Sequence, residues 1–110
     1  QLPTTLPTLD ELIGLEGRTP EEAAREIVRR SQESLPHGHV FTLHAELEGM
    51  ALRADFESML AAWRMAGTRL VAMRDVLGAL DLKSLPRHRV AMQPVPGRAG
   101  LLACQGARVG

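Results

Sequence analysis

Tyrosine is absent from this chain of 110 residues, and only two phenylalanines, one tryptophan and one cysteine are present. The single thiol, Cys104, excludes an internal disulfide and a cysteine-built zinc cluster, and it suits a reducing cytosol better than a secreted framework. With so few aromatics, the core falls to Leu, Val, Ile, Met and Ala. No apolar run approaches the roughly 18 to 20 residues that a spanning helix needs. Lysine is nearly missing too: Lys83 is the one lysine among thirteen cations. An arginine bias suits carboxylate or phosphate recognition, and a GC-rich genome also produces it. Against these absences, 45% of the residues are hydrophobic, the composition of a folded globular domain rather than a disordered one. The opening QLPTTLPTLDEL has no charged leader, no apolar targeting core and no initiator Met, so the chain reads as a piece of something longer.

Acidic residues are missing from the tail. Residues 1–81 hold 8 basic and 13 acidic side chains, a net of −5, whereas residues 82–110 hold 5 basic and none acidic, a net of +5. Five charges over that length make a weak electrostatic footprint, so nucleic acid is not an expected partner; a phosphate or membrane-surface role stays open.

Local signals divide the chain at about the same place. Thr8, Leu9, Asp10 and Glu11 offer a cap and an acidic first turn for a short helix ending at Gly14 or Gly17. Thr19 with Pro20 and Glu22 forms a capping box, followed by Ala23, Ala24, Ile27, Val28 and Leu35 at helical spacing until Pro36 and Gly38. Val40 to Leu43 reads as a short strand buried on both faces. Leu52, Phe56, Met59, Leu60 and Trp63 mark a second amphipathic helix over 50–66, closed by Gly67. Arg69 to Met73 reads as another strand and Asp75 to Leu80 as a further helical turn or two. This αβαβ order predicts βα units of a parallel α/β architecture over residues 1–81. Beyond it, a Pro/Gly-punctuated tail over 82–110 contains two short apolar stretches, 90–92 and 101–104, that fit edge strands or a hairpin-like appendage.

His44 follows the first predicted strand, at the carboxyl end where parallel α/β folds carry their sites. If the chain stays extended, His44, Glu46 and Glu48 share one face. Three readings stay open: a strand-end histidine with solvated glutamates, acid/base groups, or metal ligands. His37 and His39 flank Gly38 in a turn, His88 sits between two arginines, and Arg98 lies in a turn of the tail. For these, and for Cys104 as a thiol without a neighbouring base, a structural or surface role is the simpler reading.

The stretches LPTLDELIG at 6–14, FTLHAELEGM at 41–50 and VPGRAGLLACQG at 95–106 resemble the C-terminal part of the bacterial undecaprenyl-phosphate formamido-arabinose deformylases, of the polysaccharide deacetylase (NodB homology) superfamily. Ala99 and Leu101 depart from that pattern, which has Glu and Trp there. The resemblance implies the C-terminal portion of a deformed parallel (β/α) barrel. It also implies a divalent metal held by an Asp and two His, and a late-strand histidine that protonates the departing amine. His44 matches that histidine. Glu46, Glu48, Asp10 and Arg98 are the candidate substrate contacts. No segment resembles the metal triad or the base, so the ligands are expected outside this chain, in the N-terminal part of the same domain, and the piece is expected to be inactive alone. The implied substrate is a formylated amino-arabinose on a prenyl-phosphate carrier, an intermediate of lipid A modification and polymyxin resistance. The implied location is peripheral, on the cytoplasmic side of the inner membrane, with the tail arginines toward anionic lipid. Other readings are an N-acyl-sugar deacetylase or a non-catalytic binding module.

Overall fold

The computed structural model describes residues 2–110, which form two compact units, residues 2–70 and residues 71–110. The compositional change at Leu82 falls inside the second. In chain order the elements are α1 (Leu9–Leu12), a 3-10 turn (Leu15–Gly17), α2 (Pro20–Ser31), a π-helical turn (Leu47–Ala51), α3 (Arg53–Met65), α4 (Met73–Ala79), β1 (Arg87–Pro94) and β2 (Leu101–Val109).

The first unit is helical. Thr19 caps α2 as its spacing predicts: the Glu22 N–H donates to Thr19 Oγ1 at 3.2 Å, and the Thr19 N–H donates to Glu22 Oε2 at 2.8 Å. α2 ends at Ser31, well before Pro36. The Ser31 hydroxyl donates to the Val28 carbonyl at 2.6 Å and accepts from the Trp63 indole N–H at 2.7 Å, so this side chain both competes with the helix backbone and ties α2 to α3. Leu35, read as part of the helical stripe, lies outside the helix and is exposed. The opposite end of α3 closes as expected, with Gly67 in the left-handed region at φ 71° and the Thr68 N–H bonded to the Trp63 carbonyl at 2.9 Å.

Leu6, Leu9, Leu12, Ala23, Ala24, Ile27, Met59 and Trp63 form the buried core of this unit, joined by Phe41, whose ring meets Trp63 edge to face at 5.9 Å. The predicted strands do not form within the described residues. Val40 instead hydrogen-bonds the N-terminal segment: its carbonyl accepts from the Thr5 and Leu6 N–H groups at 3.1 and 3.2 Å, and its N–H donates to Thr5 Oγ1 at 2.7 Å. Leu43 is exposed rather than buried, and Leu70 and Val71 are exposed where the second strand was read. β-favouring residues become strand only beside a neighbour that completes the ladder, and among the described residues neither segment has a strand partner.

In the second unit the Pro/Gly-punctuated tail is an antiparallel hairpin, longer than its apolar cores suggested. Its register shifts between His88 and Val90, where Arg89 opposes two residues, Gly106 and Ala107. A Cβ on Gly106 would stand 3.0 Å from both Ala91 Cβ and the Arg89 carbonyl, so the bulge itself requires glycine there.

The α2 surface carries one tight charge cluster. Arg29 Nε and Arg30 Nε donate to the two oxygens of Glu26 at 2.8 and 2.6 Å, and these bonds hold the Glu26 carboxyl down to about 2 from 4.5. Because the folded value lies below the ordinary one, the stabilisation is complete above 4.5 and fades as pH falls toward 2. Glu26→Gln is therefore expected to lower the thermal midpoint at neutral pH, and circular-dichroism melts of variant and parent should converge as the pH approaches the folded value.

Candidate active site

A helix starts immediately after His44. The Leu47 and Glu48 N–H groups donate to the His44 carbonyl at 3.0 and 2.9 Å, so the chain turns helical at Ala45 instead of staying extended. This corrects the shared face expected for His44, Glu46 and Glu48. At helical spacing Glu46 projects almost opposite His44, and it is exposed; Glu48 returns to the His44 side.

Glu48 is the most altered of the expected contacts. It is 2% exposed, and its Oε2 accepts the His44 backbone N–H at 2.7 Å. It serves as the cap of the new helix. Its other oxygen, Oε1, is buried with no hydrogen-bond partner among the described residues, an expensive position for a carboxylate. The helix then widens through the π turn, in which the Leu52 N–H bonds the Leu47 carbonyl at 2.8 Å, before α3 proper begins.

Asp10 comes to the same place from α1. The Thr8 N–H donates to Glu11 Oε2 at 2.9 Å, fixing the start of that helix, while Leu9 and Leu12 are buried beneath it. The Val40 bonds to Thr5 and Leu6 hold the α1 lead-in against the segment that enters His44. As a result Asp10 Oδ1 stands 3.8 Å from His44 Nδ1, with both side chains about one third exposed. His44 Nδ1 itself is buried, so the accessible edge of the ring is the one that carries Nε2. An imidazole with one nitrogen facing a carboxylate and the other edge open can pass a proton through the open edge.

Arg98 belongs to the other unit, where its N–H closes the hairpin turn on the Val95 carbonyl at 3.0 Å. His39 has a structural role: its ring contacts Thr5 Oγ1 at 3.2 Å and the Glu33 carbonyl at 2.7 Å. His88 Nδ1 lies 2.9 Å from the Gly106 carbonyl, across the bulge. Cys104 is a half-buried free thiol in β2. No group of three or more His, Cys, Asp or Glu side chains among the described residues is arranged to hold a metal ion. One imidazole and one carboxylate do not fit the three-ligand set of a catalytic metal.

Sequence reasoning read Asp10 as a substrate contact and missed it as the neighbour of His44, because no spacing signal links residues that far apart. The Glu48 cap did have a signal, the four-residue step between His44 and Glu48 at a helix start.

Two curated proteins align with the chain over nearly its whole length. One is the probable 4-deoxy-4-formamido-L-arabinose-phosphoundecaprenol deformylase ArnD of Wigglesworthia glossinidia brevipalpis, 29% identical over 105 residues, which are 96% of this chain and 36% of that protein. The other is the protein of the same name from Shewanella sediminis (strain HAW-EB3), 30% identical over 110 residues, 99% of this chain and 35% of that protein. No protein-family model and no solved structure gives a significant match. The relatives are deformylases by name, and the chain spans about a third of their length. It belongs to the ArnD deformylase family.

The Glu48 cap is testable by itself. Glu48→Ala leaves the His44 N–H without its acceptor and should destabilise the fold by about 1–2 kcal/mol, whereas Glu48→Gln, which keeps an amide oxygen, should recover most of the loss. Urea denaturation followed by tryptophan fluorescence from Trp63 reads the difference.

Proposed function

We propose that this chain supplies the proton-donating wall of a deformylase that removes the formyl group from a 4-formamido-arabinose carried on a prenyl phosphate. The observation that carries the reading is the His44–Asp10 pair at 3.8 Å at the head of a capped helix, in a chain whose relatives bear the deformylase name. Hydrolysis of a formamide adds water to the formyl carbon and breaks the C–N bond, and the departing amine must gain a proton as it leaves. The imidazolium of His44 gives that proton from Nε2 and retains the one on Nδ1, toward Asp10. Glu48 holds the backbone from which the ring projects, so the donor stays in place through the step.

In this reading residues 40–43 and 69–73 become strands of a parallel (β/α) barrel, beside neighbours from the remaining two thirds of the longer protein. A divalent metal of the kind the family resemblance implies would be held by residues of that remainder, where it would supply Lewis-acid chemistry to the hydrolysis. This chain alone therefore contributes the acid step, worth roughly 10²- to 10⁴-fold, and not the whole acceleration. The product, an amino sugar in place of a formamide, gains a positive charge, which fits a role in lowering the negative charge of lipid A.

In the full-length enzyme His44→Gln should reduce kcat by roughly 10²- to 10⁴-fold while bound metal stays near stoichiometric. Mass-spectrometric detection of deformylated product, paired with metal analysis of the same sample, tests this; unchanged turnover removes His44 from the reaction, and loss of metal makes it a ligand instead. A preparation that deacetylates N-acetyl sugars and ignores formamides would reassign the substrate class.

A further inference from the structure

His44 and Asp10 sit on two segments that are tied together upstream of both, at Thr5 and Val40. Thr5 engages both polar groups of the Val40 main chain. The Thr5 and Leu6 N–H groups donate to the Val40 carbonyl at 3.1 and 3.2 Å, and the Val40 N–H donates to Thr5 Oγ1 at 2.7 Å. His39 orients that hydroxyl. The Glu33 carbonyl can only accept, so His39 Nε2, 2.7 Å away, carries the ring hydrogen; in the neutral ring Nδ1 then accepts the Thr5 O–H at 3.2 Å. A hydroxyl has a single hydrogen, and with it turned toward His39 the oxygen lone pairs are left for the Val40 N–H. Bonds to the Val40 carbonyl alone would leave a pivot about which the segment could swing, and the hydroxyl bond to the N–H of the same residue closes it. The lever is long. At up to about 3.5 Å per residue, His44 stands up to about 14 Å beyond Val40, where a swing of roughly 5° moves the ring by about 1 Å.

We propose that Thr5 is a positioning residue for the deformylation: its hydroxyl sets the distance between His44 and Asp10 through the two chain segments and takes no part in binding the sugar. The inference rests on the deformylase reading, in which His44 gives the proton. Misplacing such a group by about 1 Å can cost about a hundredfold in rate, while binding of the substrate need not change. The fold has other supports at this point. Without the hydroxyl, both bonds to the Val40 carbonyl remain, Leu6 stays buried, and the Phe41 ring stays seated edge to face on Trp63.

Steady-state kinetics of the full-length enzyme on formamido-arabinose phosphoprenol test the role. Thr5→Val, which removes the oxygen at nearly equal size, should lower kcat by about tenfold or more and leave KM within about threefold. Thr5→Ser keeps the oxygen and should restore most of kcat. A double-mutant cycle separates positioning from general loss of structure. In an Asp10→Ala background no pair is left to position, so Thr5→Val should change kcat by less than about twofold. A larger factor in that background, a smaller fall in the parent, or a Ser variant no faster than the Val variant would overturn the proposal. Should Thr5→Val fail to fold by circular dichroism, Thr5→Ala takes its place under the same thresholds. If His44→Gln leaves turnover unchanged, the catalytic reading fails; if His44→Gln lowers turnover as expected and Thr5→Val does not, the positioning role of Thr5 fails alone.

Discussion

One hydrogen bond, from the His44 backbone N–H to the buried Glu48 carboxylate, decides where the central helix begins. The first N–H groups of a helix have no partner within it, and a buried start needs an acceptor brought from elsewhere. Glu48 is that acceptor, one turn further on. A carboxylate also suits the positive end of the helix dipole, which offsets part of the burden of burying it. Because the cap bonds the residue that carries the imidazole, the boundary of the helix and the position of the ring are set together.

The other half of the pair is positioned by packing. α1 is only four residues long and would not persist alone, yet Leu9 is fully buried and Leu12 nearly so, against Ile27 of α2 and Met59 and Trp63 of α3. The Ser31–Trp63 bond and the Phe41–Trp63 ring contact fix the helices relative to the 40–43 segment. The Thr5–Val40 bonds then hold the entry to α1 against that segment. Asp10 reaches His44 only because these separate attachments agree, so loss of core packing at Leu9 or Trp63 would separate the pair without touching either residue.

What was legible in the sequence was local. Thr19, Pro20 and Glu22 announce α2 because a cap, a first-turn proline and a reciprocal carboxylate lie within four residues. Gly67 announces the end of α3 because only a left-handed residue closes that turn readily. The glycines and prolines of the tail announced a hairpin whose bulge needs Gly106. The candidate site was legible in part: the motif points to His44, but not to its surroundings. A strand was read at Val40 to Leu43 because apolar, β-branched residues favour one, although strand formation depends on a neighbour that composition cannot reveal. The extended reading carries forward, since an extended chain would put Glu46 and Glu48 on the side of His44. The helical turn separates them and sends one to solvent and the other to the interior. The Asp10 contact depends on tertiary packing and has no trace in local spacing.

The π turn between Leu47 and Ala51 has a consequence for the phase of the whole helix. Spanning five residues where an α-turn spans four, it inserts about one extra residue, which rotates everything downstream by roughly 100° relative to an uninterrupted helix. With that rotation, Met59 and Trp63 face inward while His44 keeps its place beside α1. Deleting one residue within the loop of backbone from 47 to 51 would leave both ends of the helix intact and turn one of them the wrong way. The widened turn is thus a fixed angular offset between the part of the helix that holds the fold and the part that presents the imidazole.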